Sequence, residues 1–221
     1  MPGDPGHRRY LSVPGIVGQD RDHARCALGR RAWFGIGAAW FEREHLALGL
    51  PFPPLRERFE RLEETLQIAL QMWSPDNGPY HGRHYQLQET LCVPQPLSRP
   101  RLPILIGGGG EKKTLRLVAQ CADACNIPGD AATVAAKLEV LRGHCVRLGR
   151  DYDAIKKTAN VHYQQDSGKL LAELASLAAV GVESAILTNV DLAEEQFFET
   201  LATCIVPQAA GFFSRLAAAA R

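Results

Sequence analysis

The sequence lacks an excess of charge of either sign, because 25 lysines and arginines face 24 aspartates and glutamates in 221 residues, for a net charge of +1. Proteins that bind nucleic acid carry a basic surface, so this balance argues against that class. No apolar run approaches the roughly 18 residues of a membrane span, and no apolar core of a signal peptide follows Met1. We therefore expect a cytoplasmic protein with neither a nucleic-acid partner nor a membrane partner.

Paired metal-binding and hydrolase motifs are also missing. The six cysteines form no Cys-x-x-Cys pair, so we expect reduced, mostly buried thiols. His81 and His84 have metal-ligand spacing, but no carboxylate or cysteine follows at a matching distance. We interpret them as solvated loop histidines and predict no metal site. The absence of a Gly-x-Ser-x-Gly elbow leaves a hydrolase of that type unsupported.

The first 30 residues differ from the rest of the chain. Prolines and glycines are frequent there, and neither a helical nor an alternating apolar period is present. We predict an irregular, disordered tail over residues 1–30 and one folded domain over residues 31–221.

Short apolar strands alternate with amphipathic helices in the remaining sequence. We predict strands at 32–37, 103–106, 122–127, 157–163 and 184–187, and a small hairpin at 80–87. Helices are predicted after Pro53-Pro54, from Glu111, after Asp130, around Leu170–Leu177, and after Asp191, where Phe198, Leu201 and Ile205 mark the apolar face. A last helix is expected over 209–220. The pattern is typical of an α/β protein with a buried parallel sheet, either doubly wound or a (β/α) barrel.

Four consecutive glycines are the strongest functional signal. The apolar strand Ile104-Leu-Ile106 runs into Gly107-Gly-Gly-Gly110, and a helix follows. Glycines let the backbone approach a ligand closely, and the free N–H groups of a helix start attract an anion. A P-loop needs Gly-Lys after the loop, but Glu111 follows Gly110, and the third glycine of a dinucleotide fingerprint is replaced by Lys112. A phosphate site of the barrel type, at the carboxyl end of a strand, remains.

A second glycine motif, Gly35-Ile-Gly37-Ala-Ala-Trp-Phe41, ends the first strand. Trp40 and Phe41 offer flat apolar surfaces that suit an aromatic ring system. A turn with core aromatic residues explains the same pattern equally well.

Together these motifs resemble the luciferase-like monooxygenase superfamily, closest to the branch that uses the deazaflavin coenzyme F420. The resemblance runs from about residue 31 to about residue 206. It is carried by Trp33-Phe-Gly-Ile-Gly-Ala-Ala-Trp-Phe-Glu-Arg-Glu-His45, by the helix at 50–64, by Gly82-Arg-His-Tyr85, by the tetraglycine strand and by Ala122-Asp-Ala-Cys-Asn126.

This resemblance implies a TIM barrel that binds an isoalloxazine-like ring at the carboxyl ends of its strands. Gly107, Gly108, Gly109 and Gly110 would hold the cofactor phosphate, and Ile36, Gly37 and Phe41 would lie along the ring. The implied activity is hydride transfer between coenzyme F420 and a small organic substrate. The alternative is oxygen activation with reduced FMN. The family also implies a homodimer.

The chain departs from the family in two places. Ala38 stands where the sugar-phosphate dehydrogenases carry their proton-donating acid, so we name no catalytic acid or base. The family's first three β/α units precede the Trp33 motif, whereas only about 30 irregular residues do so here. We therefore expect an incomplete (β/α)8 barrel of about five units, and a non-catalytic, truncated remnant is the alternative to an enzyme.

Overall fold

A computed structural model describes residues 32–191, 193 and 195–219. The chain divides into two compact units, residues 1–105 and 106–221. The predicted tail at 1–30 and Cys26 lie outside the described residues. The five described cysteines are all free thiols, three of them buried. In the part of the chain that is described, no helix is both long and apolar enough to cross a membrane.

The first unit contains strand β1 (Phe34–Ile36), helix α1 (Glu42–Ala47), the long helix α2 (Leu55–Met72) and the hairpin β2–β3 (Tyr80–His81 and Gln86–Leu87). Pro54 occupies the N-cap of α2, where the missing proline N–H removes no helical bond. Buried residues of α2, including Leu62, Leu66 and Ala69, recur at helical spacing. Phe34 packs its ring edge-on against Trp73 with the centroids 5.4 Å apart.

Strand β4 (Ile104–Gly107) spans the division between the units. The second unit continues with helix α3 (Thr114–Cys121), strand β5 (Ala124–Ile127), helix α4 (Ala131–Leu148), strand β6 (Lys156–His162), helix α5 (Ser167–Ala179) and strand β7 (Ser184–Thr188). Helix α6 (Glu195–Thr200), a π-helical turn (Leu201–Ile205) and helix α7 (Val206–Ala219) follow.

The strands of the main sheet follow chain order, β1-β4-β5-β6-β7, and run parallel. A doubly wound sheet would reverse its strand order part-way, because its crossovers lie on both faces. The unbroken order therefore decides between the two predicted architectures, and the incomplete barrel is confirmed. Side chains at 0% exposure from β4, β5 and β6 form its core, among them Ile104, Ile127 and Val161.

The signals that begin and end α4 act as the sequence predicts. Hydrogen bonds from the Thr133 side chain and from the Thr133 N–H, which caps the helix, hold the pKa of the Asp130 carboxyl below its ordinary value. Gly149 ends the helix in the left-handed conformation, with φ of 63°.

Three local predictions are wrong. Helix α3 begins at Thr114 rather than Glu111, because the Leu115 N–H bonds to the Gly110 carbonyl, five residues back, and the chain first makes a wide turn. The buried aromatic of α6 is Phe197, at 5% exposure, whereas Phe198 is 49% exposed. The last helix begins at Val206 and continues directly from the π-helical turn, whose wider winding shifts the apolar period.

Candidate functional site

The tetraglycine loop follows β4 at its carboxyl end, within the second unit. The Gly108 N–H donates to the Asn126 carbonyl at 2.9 Å, which extends the pairing of β4 with β5 by one residue. Gly108 has φ of 124°, a conformation that side-chain-bearing residues rarely adopt. This bend turns the chain away from the sheet and towards the start of α3.

Backbone donors are concentrated beyond this bend. The N–H groups of Gly109, Gly110 and Lys112 donate to no protein acceptor in the described part of the chain. They precede α3, whose own first N–H groups add partial positive charge. A loop of unbonded N–H groups before a helix can bind a phosphate through several hydrogen bonds at once.

Only two of the four glycines are required by the protein itself. Gly108 is required by its φ, and a Cβ on Gly110 would lie 2.8 Å from the Thr114 hydroxyl. A Cβ on Gly107 would meet nothing within 4 Å, and one on Gly109 would make ordinary contacts at 3.9 Å. The absence of a side chain therefore relieves no clash at 107 or 109, and at 107 it leaves open space beside the loop.

Lys137 of α4 is the residue near this loop that sequence reasoning missed. Its Nζ lies 2.6 Å from the Glu111 carboxylate, and this contact lowers the pKa of Glu111. His144, two turns later on α4, places its Nε2 2.7 Å from the Glu111 carbonyl oxygen. No motif marks Lys137, because its position beside the loop depends on how α4 packs after β5.

In the first unit, Ile36 and Gly37 line a cavity of about 180 Å³. Ala39 takes the left-handed conformation, with φ of 56°, directly after them. Arg58 of α2 donates from Nη1 to the Ala39 carbonyl at 2.6 Å, and its guanidinium lies 4.1 Å from the centre of the Phe52 ring. Arg58 therefore holds the backbone that follows β1.

Phe41 does not line this cavity, although Ile36 and Gly37 do. Its ring stacks on Trp40 with the centroids 5.3 Å apart, and both side chains are exposed. These residues belong to the first unit, and Gly107–Gly110 follow from the second. The ring contacts and the phosphate contacts expected from the resemblance both stay predictions.

The Gly82–Tyr85 motif is bound to α2 by two carboxylates. Glu64 accepts backbone hydrogen bonds from Arg83, His84 and Tyr85 at 2.8 to 3.2 Å. A Cβ on Gly82 would overlap the Glu64 carboxylate, which explains the glycine.

His84 is not the solvated loop histidine that we expected. Its side chain is 11% exposed, and its Nε2 lies 2.9 Å from the Glu60 carboxylate. The hydrogen bonds from His84 and Arg56 lower the pKa of Glu60 to about 2. No spacing in the sequence marks this pair, because Glu60 lies on another element, 24 residues away. Among the described residues no cluster of three potential metal ligands occurs.

Comparison with known proteins decides the family. The sequence profile of the luciferase-like monooxygenases matches residues 14–197, most of the chain. The chain belongs to this family. The match begins earlier than the residue 31 expected from the motifs, within a segment whose structure is not described.

Two curated relatives have names that state dependence on different cofactors. The chain is 26% identical over 157 residues to the FMNH2-dependent dimethylsulfone monooxygenase of Pseudomonas putida, covering 68% of this chain and 42% of that protein. It is 33% identical over 97 residues to the F420-dependent glucose-6-phosphate dehydrogenase of Kineococcus radiotolerans, covering 44% of this chain and 28% of that protein. The chain thus spans less than half the length of either relative.

A solved structure shares the fold. An F420-dependent secondary alcohol dehydrogenase, solved with an F420–acetone adduct, superposes with a TM-score of 0.62 at 19% identity. The superposition covers 75% of this chain and 50% of that one. The luciferase-like barrel fold is therefore common to both chains.

Proposed function

We propose that this protein is a luciferase-like oxidoreductase that binds coenzyme F420 and transfers a hydride between it and a small organic substrate. The observation that carries the proposal is the tetraglycine loop, with its unbonded N–H groups and the open space at Gly107. Such a loop at the carboxyl end of a barrel strand is where this fold binds phosphate.

The residues of the loop fit the phosphate of such a cofactor. The N–H groups of Gly109, Gly110 and Lys112 would donate to the phosphate oxygens, and the Lys137 ammonium would add positive charge nearby. The deazaflavin ring, when bound, supplies the hydride chemistry, and the protein orients it. Ile36, Gly37 and Phe41 would lie along the ring, and Gly37 would let the backbone approach it closely.

FMN is the second candidate cofactor. The FMNH2-dependent relative aligns over 157 residues, a longer stretch than the 97 residues of the F420-dependent one. Both cofactors carry a phosphate on the side chain of a flat tricyclic ring, so the glycine loop would suit either. With reduced FMN the reaction would be oxygenation of the substrate instead of hydride transfer.

At residue 38 the chain departs from the family's sugar-phosphate dehydrogenases, so their reaction is not the one that we propose. Ala38 supplies no carboxylate to protonate cofactor or product. By family resemblance we further propose a cytoplasmic homodimer.

Direct titration tests the cofactor assignment. The full chain is titrated with F420 and with FMN in oxidised and reduced form, by equilibrium dialysis, alongside Gly109→Asp. Gly109 is preferred to Gly108 because its φ tolerates a side chain. A carboxylate there repels the phosphate, so we expect the affinity to fall about tenfold or more.

Gly211→Asp is the matched control, because it adds the same charge at an exposed glycine of α7 with open space around it. It should bind as the original chain does. Tighter binding of FMN than of F420 would replace the first candidate with the second. Equal binding by Gly109→Asp and the original chain would overturn the phosphate assignment.

A further inference from the structure

A row of uncharged polar side chains lies on one face of the sheet in the second unit. The parallel register pairs Asn126 with Thr158, Asn160 with Ile186 and His162 with Thr188, so these side chains share a face. The opposite face of β6 carries Lys157, Ala159 and Val161, all at 6% exposure or less. Crossover helices therefore cover that opposite face, and the polar row faces the other way.

Hydrogen bonds order the buried end of this row. The Asn126 amide donates to Asn160 Oδ1 at 2.8 Å. The Thr158 hydroxyl donates to the Cys125 carbonyl at 2.8 Å. Exposure rises along β6 from Thr158, which is buried, through Asn160 to His162, which is exposed. The row thus opens to solvent towards the carboxyl end of the strands.

His162 ends β6, and among the described residues hydrogen-bond partners surround one of its ring nitrogens, Nδ1. Its Nδ1 lies 3.1 Å from both Thr188 Oγ1 and Asn189 Nδ2. The Thr188 hydroxyl also approaches the Val161 carbonyl at 3.3 Å, which fixes it beside the ring. His162 Nε2 contacts no hydrogen-bonding group among the residues that the structure describes. The imidazole is therefore held from one side and presents Nε2 to a ligand.

His162 lies at the same edge of the sheet as the glycine loop. His162 and Thr188 stand at the carboxyl ends of β6 and β7, and Gly107 stands at the carboxyl end of β4. In parallel sheets these ends form one edge, and barrel enzymes carry their reacting groups there. The side chain beside Asn160 on this face is Ile186, which is apolar and 40% exposed.

We propose that His162, held by Thr188 and Asn189, binds the oxygen of an uncharged alcohol or carbonyl substrate through Nε2. The proposal rests on the proposed function for its redox chemistry, and it names the substrate class of that reaction. Because the Asn189 amide N–H donates to Nδ1, the ring proton lies on Nε2, which can donate to the oxygen of a carbonyl or of a hydroxyl.

The composition of the row favours an uncharged group over an anionic one at this position. From Thr158 to the carboxyl end of this face, the side chains of β5, β6 and β7 include no lysine or arginine. Lys156 shares the face but begins β6, six residues and roughly 20 Å of strand away from His162. A buried phosphate or carboxylate needs charge-assisted partners, which an alcohol or ketone does not.

Side-chain NMR of the full chain, labelled with ¹⁵N at histidine, tests the assignment. The His162 ring signals are identified by their loss in His162→Gln. Cyclohexanol, cyclohexanone and glucose 6-phosphate are then titrated, each with and without F420. We expect the two uncharged ligands to shift the His162 signals and glucose 6-phosphate to leave them unchanged. One lost hydrogen bond should weaken cyclohexanone binding by about three- to tenfold in His162→Gln.

Two further variants separate binding from folding. Asn189→Gly retains the left-handed backbone, with φ of 56°, while removing the amide beside Nδ1, and it should weaken binding by a smaller factor. His81→Gln removes an exposed hairpin histidine and should bind as the original chain does.

Cofactor affinity, measured in parallel, should be the same in all variants. If the chain bound no cofactor at all, that result would overturn the proposed function alone. Unchanged cyclohexanone affinity in His162→Gln, no shift with either uncharged ligand, or an equal shift with glucose 6-phosphate would overturn the substrate assignment.

Discussion

The tetraglycine loop separates glycines that the backbone needs from glycines that it does not. Gly108 has φ of 124°, whereas Gly109 has no such strain and could carry a Cβ with contacts no closer than 3.9 Å. A run of four glycines looks uniform in the sequence. In the fold, Gly108 shapes the turn, whereas the backbone does not require a glycine at 109.

Alanine substitutions at these two positions should therefore differ in stability. We expect Gly108→Ala to lower the free energy of unfolding by about 1–2 kcal/mol, because alanine is strained at positive φ. Gly109→Ala should change it by less than about 1 kcal/mol, and a stiffer unfolded chain could make that change favourable. Urea unfolding followed by circular dichroism measures both. Equal losses would show that the loop strain is not confined to Gly108.

Glu60 gives a prediction about acid stability. Hydrogen bonds from His84 and Arg56 lower the folded-state pKa of Glu60 from 4.5 to about 2. Because the folded pKa lies below the unfolded one, ionised Glu60 stabilises the fold above pH 4.5, and this contribution is lost as the pH falls towards about 2. Glu60→Gln should therefore lose less stability than the original chain across that interval.

Urea midpoints at several pH values across this interval measure the difference. His84→Gln removes the largest contribution to the lowered pKa of Glu60, so this variant should also lose less stability than the original chain as the pH falls. Parallel profiles for the original chain and Glu60→Gln would contradict the prediction.

For helices and strands, the sequence predicts that an element exists better than it predicts where the element begins and which of its residues face the core. Every strand of the main sheet, the hairpin and the helices α2, α4 and α5 follow from apolar period and caps such as Asp130 and Gly149. The π-helical turn Leu201–Ile205 does not, because one extra residue per turn breaks the 3.6-residue period. The contact of Glu60 with His84 is also invisible in the sequence, since it joins separate elements.

The candidate site likewise contains some residues that the sequence predicts and others that it does not. The glycine loop is evident from composition alone, because four glycines in a row after an apolar strand are rare without a reason. Lys137 and His162 have no motif around them. Their positions follow only from the strand register and from how α4 packs, which depend on the whole fold.

The two phenylalanines of α6 test which face of this helix is buried. Phe197 is 5% exposed and packs against Tyr163 with the ring centroids 4.8 Å apart, whereas Phe198 is 49% exposed. We expect Phe197→Ala to lower the free energy of unfolding by about 3–5 kcal/mol and Phe198→Ala by less than about 1 kcal/mol. Chemical unfolding of the two variants measures this. The reverse order would restore the apolar face predicted from the sequence.

For the molecule as a whole, the relevant comparison is with a closed barrel. Five parallel strands lie in the described part of the main sheet, whereas a closed barrel of this kind has eight. The chain spans 42% and 28% of the two curated relatives. The tetraglycine loop, Lys137 and His162 all belong to the second unit, so the proposed phosphate site consists of residues that this chain contains.

Thermal unfolding should therefore report cofactor binding by the chain itself. A ligand present at 100 times its dissociation constant stabilises the folded state by about 2.7 kcal/mol. In a chain of this size, about 1 kcal/mol corresponds to about 2–4 °C, so F420 should raise the melting temperature by about 5–10 °C. Gly109→Asp should lose most of this increase, and a deazaflavin that lacks the phosphate should give little of it to the original chain. An increase of the same size with the phosphate-free ring would mean that the ring, rather than the glycine loop, provides the binding energy.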